Sequence, residues 1–388
     1  MHPILPPLPA SPERILVRGV NWLGDAVMTT AALLQLRAAH PRAAITLLTP
    51  AKLADLWTGH PAIDGLLTFS AGESAFAVGR RLRKHAFDVG LIFPNSFRSA
   101  LELWWGRVPH RIGHAGQLRD RLLTVPVPAR PGGVPMRKRS RREILELTRS
   151  GTRAGHGSGA AGQARAGSLP AAAHHLHQYL HLAARLGANP TPVAPQIAVT
   201  QSERDDFRRE FGLESRPALP LFGLNPGAEY GPAKRWPVER FIAAAREIQN
   251  QRACRWLIFG GKADLDLAGQ IDRALRGTSE ARPDQAVNLA GRTSLRQLCA
   301  GLASCRLVLT NDTGPMHVAA AVGSRVIVPF GSTSASLTGP GLPDDHRHRF
   351  VQARAPCAPC FLRTCPIDFR CMNQITAEEI VAAALEVS

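Results

Sequence analysis

Short apolar runs separated by stretches of helical period recur along the chain. In the first half, "RILVRG" (14–19), "AITLLTP" (44–50) and "DVGLIFP" (88–94) are near-continuous apolar runs, the signature of strands buried on both faces. Between the first two, "DAVMTTAALLQLRAAHP" spaces its apolar residues at helical intervals and closes on a proline, which predicts a helix and its end. In the second half, "LFGLNPG" (221–227), "CRWLIFGG" (254–261), "AVNLAG" (286–291), "RLVLTND" (306–312) and "RVIVPFG" (325–331) repeat the strand pattern. "PVERFIAAAREIQNQ" and "SLRQLCAGLASC" are the helices between them. Such alternation predicts parallel sheets covered by helices on both faces. The pattern occurs twice, so the expected fold class is α/β, two Rossmann-like doubly wound domains facing a central cleft.

The expected organisation is a flexible N-terminus over 1–13, a first domain over 14–200 and a second over 201–388. The join falls around 187–217, where "GANPTPVAP" and "LESRPALP" supply prolines. Within the first domain, residues 149–173 are rich in Gly, Ala and Ser and nearly devoid of large apolar groups, which reads as a flexible insertion loop.

A length of 388 residues suits two domains better than one. The formal net charge of +17 favours acidic partners: nucleic acid, an anionic membrane surface or a phosphorylated substrate. The tract "RKRSRR" (137–142) carries five of those cations in six positions, and fits either an anion-contacting loop or a solvated basic surface. The N-terminus has no basic segment followed by an apolar stretch, and no uncharged apolar run reaches about 18 residues. The expectation is a cytoplasmic chain, at most peripheral to a membrane. Seven cysteines without an export signal are expected to be reduced.

Ligands of doubly wound folds bind outside the carboxyl ends of the strands, so the loops leaving those ends carry the candidate chemistry. In "RGVNWLGDAVMTT" (18–30) a strand ends at a glycine turn and Asp25 opens the next helix. Asp25 fits a helix-dipole role or a carboxylate placed to take a proton. In "NPGAEYGPAKRWP" (225–237), glycines let the backbone approach a ligand; Lys234 supplies a compact charge and Arg235 a planar fork, both suited to phosphate. In "LVLTNDTGPMHVAAAVG" (307–323), the turn at Asn311, Asp312, Thr313 and Gly314 precedes a helix with Pro315 near its start. Its free N–H groups and dipole would favour an anion, and His317 falls on its first turn.

"RGVNWLGD" is not the dinucleotide fingerprint G-x-G-x-x-G, and no G-x-x-x-x-G-K-[ST] occurs, so dehydrogenase and P-loop readings lose their main supports. Aromatic residues are 6% of the chain and do not interleave the basic stretches, which disfavours a nucleic-acid channel. The tail "CAPCFLRTCPIDFRC" holds Cys357, Cys360, Cys365 and Cys371. The C-x2-C pair resembles half of a zinc or cluster site, but the later gaps of four and five residues fit no common zinc knuckle.

Taken together, "WLGDAVMTT", "PNSFRSAL" (94–101), "NPGAEYGPAKRWP", "NLAG" (288–291) and "TNDTGPMHVAAA" resemble glycosyltransferase family 9, the ADP-heptose–lipopolysaccharide heptosyltransferases. "PGAEYGPAKRWP" favours type II members over type I. The resemblance covers nearly the whole chain apart from the first dozen residues, the 149–173 insertion and the cysteine tail. It implies a GT-B architecture, with the acceptor on the N-terminal domain and the ADP-sugar on the C-terminal one. It also implies inverting transfer of heptose to the first heptose of an anionic, Kdo-bearing lipid A core at the inner membrane. Asp25 would be the base and Lys234 would hold the leaving diphosphate. Asp312 would orient the heptose hydroxyls, Thr313 and Gly314 would touch the diphosphate, and His317 and Arg235 would line the donor site. Gly291 and Thr293 would lie near adenine and Asp264 near the ribose. Asn95, Ser96 and Arg98 would face the acceptor. No cofactor or catalytic metal is expected, since no D-x-D pair falls at a matching strand end. The competing readings are a protein that binds a nucleotide-sugar without transferring it, a family member with another acceptor position, and an RNA-binding protein.

Overall fold

The computed structural model of the chain describes residues 8–150, 170–214, 219–276, 285–343 and 345–387. They fall into two compact units, one within Met1–Gly133 and His175–Ala198, the other within Val134–His174 and Val199–Ser388. The first unit holds strands β1 (Arg14–Arg18), β2 (Ala44–Pro50), β3 (Gly65–Phe69), β4 (Val89–Ile92), β5 (His110–His114) and β6 (Val125–Val127). The second holds β7 (Leu221–Asn225), β8 (Arg255–Ile258), β9 (Ala286–Asn288), β10 (Leu307–Thr310), β11 (Arg325–Phe330) and β12 (Arg349–Gln352).

The first sheet runs β3-β2-β1-β4-β5-β6 and the second β12-β11-β10-β7-β8-β9, with every pairing parallel. Both sheets wind outward from their first strand for three strands, then reverse and wind the other way. The reversal falls between β1 and β4, where Ile15 pairs with Val89, and between β7 and β10, where Phe222 pairs with Leu307. The doubly wound α/β class is as expected. The central strands are buried along nearly their whole length, as continuous apolar runs should be.

The units meet at Ala198 and Val199, but Val134–His174, expected in the first domain, groups with the second unit. Helix Arg141–Ser150 is amphipathic and buries Ile144 in the core of the second unit, in a cluster with Cys357, Cys360 and Met372. An isolated apolar stripe has to be covered, and the C-terminal tail supplies the cover. The chain then returns to the first unit through helix Leu176–Ala183. Of the 149–173 insertion, residues 151–169 lie outside the described residues, as do residues 1–7 of the N-terminal segment. Among the described residues no helix is long and apolar enough to cross a membrane.

One buried ion pair anchors the switch point of the first unit. Arg18 ends β1 with 2% exposure and meets the fully buried Glu102 at 2.7 Å. Its guanidinium stacks 4.3 Å over Phe69 and donates to the Gly19 carbonyl and, at 3.2 Å, to Asn21 Oδ1. Those bonds shape the turn that delivers Asp25. Burial pulls the Arg18 pKa down, and Glu102 opposes that pull. Glu102→Gln strips the charge from the buried partner while nearly preserving its shape. Removing one member of a buried pair costs about 3–5 kcal/mol, so urea denaturation of the variant is expected to begin at clearly lower concentration. An unchanged midpoint would show that the pair is not an anchor.

Candidate active site

In the second unit the loops that leave β7 and β10 are fastened to each other. Asn311, fully buried just past β10, donates from Nδ2 to the Pro226 carbonyl at 2.7 Å and accepts the Trp236 N–H at Oδ1 at 3.0 Å. A single side chain therefore pins both ends of the 226–236 loop. Trp236 is itself buried and donates from Nε1 to the Ile375 carbonyl at 3.0 Å. The loop is thereby held with Lys234 against Asp312: Nζ to Oδ2 is 2.7 Å, with 15% and 5% of the two side chains exposed. Thr333, past β11, donates to the same Asp312 oxygen at 2.5 Å. Lys234 also lies 5.0 Å from the Tyr230 ring centroid.

The neighbouring loops add the remaining donor-side candidates. Arg235 reaches Asp264 at 3.8 Å, and Asp264 accepts the Gly261 N–H at 3.0 Å. A Cβ on Gly227 would overlap the Asp264 carboxylate, so only glycine lets the β7 loop pass this close. Gly291, past β9, takes φ +68° and bonds the Gly260 carbonyl at 2.9 Å; Thr293 follows it, half-buried. Thr313 occupies the N-cap of helix Gly314–Ala321, yet its side chain caps nothing. The Thr313 side chain therefore leaves the amide end at Gly314 without a cap of its own, and the positive end of the helix dipole lies there. His317 lies buried one turn in. Sequence reasoning assigned Lys234 and Asp312 separate tasks; the structure makes them partners.

In the first unit, Asp25 sits in the first turn of helix Leu23–Ala39 with about a third of its side chain exposed. Two residues that the sequence reading passed over adjoin it. Tyr179 donates its hydroxyl to Asp25 Oδ1 at 3.4 Å, and His175 Nε2 is 4.0 Å from that oxygen and 3.2 Å from the Tyr179 hydroxyl. Burial holds His175 below the usual imidazole range, against the pull of Asp25, and raises Tyr179 well above the usual phenol range, so both stay neutral near pH 7. The signal was present in "HHLHQYLHLAA" (174–184), where His175 and Tyr179 are four apart and share a helix face.

The acceptor-side candidates cluster past β4, next to β1, but each has an intramolecular partner. Asn95 Oδ1 accepts from the buried Arg119 at 3.2 Å. Ser96 caps helix Phe97–Trp105 by accepting the Ser99 N–H at 3.2 Å. Arg98 bonds Glu102 at 2.9 Å and the Glu73 carbonyl at 2.5 Å. The basic tract is likewise engaged: Arg137 pairs with Glu143 and Arg142 with Glu146, while the Arg139 N–H bonds the Cys360 carbonyl.

Paired doubly wound units whose polar loops gather at the switch points place the chain among the GT-B glycosyltransferases. Comparison with known proteins narrows that class. The chain belongs to glycosyltransferase family 9 (heptosyltransferase), which its residues 147–369 match. It is 30% identical to lipopolysaccharide heptosyltransferase 2 of Salmonella typhimurium over 340 residues, 84% of this chain and 85% of that one. The Escherichia coli protein of the same name is 29% identical over the same shares. The solved E. coli ADP-heptose lps heptosyltransferase II superposes with a TM-score of 0.73 at 26% identity, covering 96% of this chain and 98% of that one. These likenesses favour neither a non-catalytic binding protein nor another acceptor position.

Thr333→Val keeps the shape at position 333 and deletes the hydroxyl. A hydrogen bond to a charged group is worth about 1.5–3 kcal/mol, and the loss falls on the second unit because Asp312 is buried there. Thermal unfolding should shift down accordingly; a variant that melts with the wild type would show that Lys234 alone holds Asp312.

Proposed function

We propose that the chain transfers L-glycero-D-manno-heptose from ADP-heptose to the first heptose of a Kdo–lipid A inner core, with inversion at the anomeric carbon. The observation that carries this reading is the Lys234–Asp312 pair, its Asp312 two residues before the amide end at Gly314 that Thr313 leaves uncapped, in a chain about 30% identical to heptosyltransferase 2 proteins. An ammonium has three donors. Lys234 can keep Asp312 with one and offer another to the leaving β-phosphate as its charge develops. Asp312 would accept heptose hydroxyls, and Arg235 and Asp264 would border the nucleoside with Gly291 and Thr293.

On the first unit, Asp25 takes the proton of the acceptor hydroxyl; that oxygen bonds the anomeric carbon as its bond to ADP breaks. Tyr179 holds one Asp25 oxygen by hydrogen bond and so orients the carboxylate. The chain's own cation and amides neutralise the diphosphate, so turnover is expected without added magnesium.

The acceptor is an anionic lipid, and the carboxyl ends of the first sheet suit one. Trp22 past β1, Phe76 past β3 and Phe97 past β4 are 43%, 50% and 47% exposed, and Lys52 past β2 lies 5.6 Å over the Trp22 ring. Exposed aromatic groups beside a cation fit an amphipathic glycolipid at a membrane surface. This supports a cytoplasmic enzyme peripheral to the inner membrane, and the +17 charge favours the same anionic surface.

Incubation with ADP-heptose and a one-heptose Kdo–lipid A acceptor should yield a product one heptose heavier by mass spectrometry; no product with an intact donor would end the reading. Losing general-base help costs on the order of 10²–10⁴ in rate, so Asp25→Asn is expected to fold and to turn over that much more slowly. Near-normal turnover would remove Asp25 from the base role. Lys234→Ala is expected to bind ADP-heptose more weakly and to transfer more slowly, and unchanged affinity and rate would take Lys234 out of the phosphate site.

A further inference from the structure

The four cysteines of the tail are gathered at one place in the second unit, beside the loop that carries Lys234. Cys357, Cys360 and Cys371 are each at most 7% exposed and share a core cluster with Met372 and Ile375. The Cys360 and Phe361 N–H groups both donate to the Ser332 carbonyl, at 3.0 and 2.8 Å. A Cβ on the adjacent Gly331 would lie 3.2 Å from Cys371 Sγ, so Cys360 and Cys371 flank one short stretch of backbone. Cys365 lies close enough to Cys371 to interact with it electrostatically, as do Cys357 and Cys360.

Backbone donors are aimed at these sulfurs. The Phe369 N–H bonds Cys365 Sγ at 3.3 Å; Leu362 and Met372 give backbone hydrogen bonds to Cys360 and Cys371. A thiol is a weak acceptor, whereas a thiolate is a strong one. Against this, burial and the neighbouring sulfurs raise the thiol pKa values, that of Cys371 to about 12. The turns between the cysteines are forced: Phe361, just after Cys360, and Phe369, two before Cys371, have φ of +56° and +54°, a cost that a non-glycine residue bears where the surroundings impose it.

We propose that Cys357, Cys360, Cys365 and Cys371 bind one thiophilic metal ion, zinc or iron, through four thiolates. Four sulfur ligands suit the tetrahedral preference of such ions, and the ion would supply the positive charge that a buried set of thiolates lacks. Among the described residues no three His, Cys, Asp or Glu side chains already stand in metal-binding array, so the proposal requires the sulfurs to come closer together on binding. The site would brace the donor loop. Tyr230 donates to the Phe361 carbonyl at 2.9 Å, and the Ala233 N–H to the Arg363 carbonyl at 3.0 Å, immediately before Lys234.

The test is elemental analysis of the full chain purified under reducing conditions, which is independent of the assigned reaction. About one zinc or iron per chain is expected, lost in Cys360→Ser and Cys371→Ser and kept in Cys254→Ser, whose thiol lies elsewhere in the core. Melting temperature should fall with the metal. Should the serine variants fail to fold, release of the ion from folded wild-type chain by a mercurial thiol reagent gives the same answer. A wild-type chain that is metal-free and takes up neither zinc nor cobalt on dialysis overturns the proposal, as does a disulfide between any two of the four in freshly purified protein.

Discussion

Where a doubly wound sheet reverses direction, the chain leaving one strand turns to one face and the chain leaving its neighbour turns to the other. A crevice opens between the two loops because no helix can cover both. In this chain the crevice lies past β1 and β4 in one unit and past β7 and β10 in the other. Polar groups collected there are partly withdrawn from water, so they need partners. Arg18 has Glu102, and Lys234 has Asp312. The two pairs differ in use. Glu102 is fully buried and divides its oxygens between Arg18 and Arg98, which fixes the turn to Asp25. Lys234 retains some exposure and has donors left for an anion.

The same constraint explains why the site depends on residues that touch no substrate. Asn311 ties both ends of the 226–236 loop to the end of β10. Without it the loop would be an eleven-residue excursion with two glycines and two prolines in its path, and loop ordering is costly. Electrostatic stabilisation of a leaving diphosphate requires fixed charge rather than mobile charge. The staple supplies that fixity, and Thr333 supplies it for Asp312 from a third strand end.

Much of this architecture was legible in the residue pattern, and the exceptions have physical causes. The central strands are continuous apolar runs because helices cover both faces. Strand β5 reads "HRIGH" and escapes that rule: His110 and His114 are buried, and burial keeps the His114 imidazole neutral, with a pKa near 4. Strands β3, β6 and β12 are sheet edges, where half-exposed positions blur the pattern. The loops carrying Asp25, Lys234 and Asp312 were visible from glycine and charge placed after strands. Their partners were not: Tyr179 and His175 come from a helix that re-enters the first unit after a long excursion, and the Lys234–Asp312 pair joins two loops through the sheet rather than along the chain. Helix Arg141–Ser150 misled for a similar reason, since its apolar stripe does not say which core will cover it.

The cysteine tail connects these threads. Residues 360–363 lie between the two halves of the donor site: the Cys360 and Phe361 amides hold Ser332, next to Thr333, while the Phe361 and Arg363 carbonyls hold Tyr230 and Ala233, next to Lys234. Arg363 stacks 5.1 Å from the Tyr230 ring on which Lys234 also rests. Any displacement of this segment moves the cation and the carboxylate relative to each other. The tail has no regular structure from Ala353 to Phe369 and is held by scattered backbone bonds, among them those of Cys360, Phe361 and Arg363, so side-chain packing adds to its rigidity. Clustered thiols under a short loop are an economical means of providing it, which is why the chemistry of the tail and the placement of Lys234 belong to one structural problem.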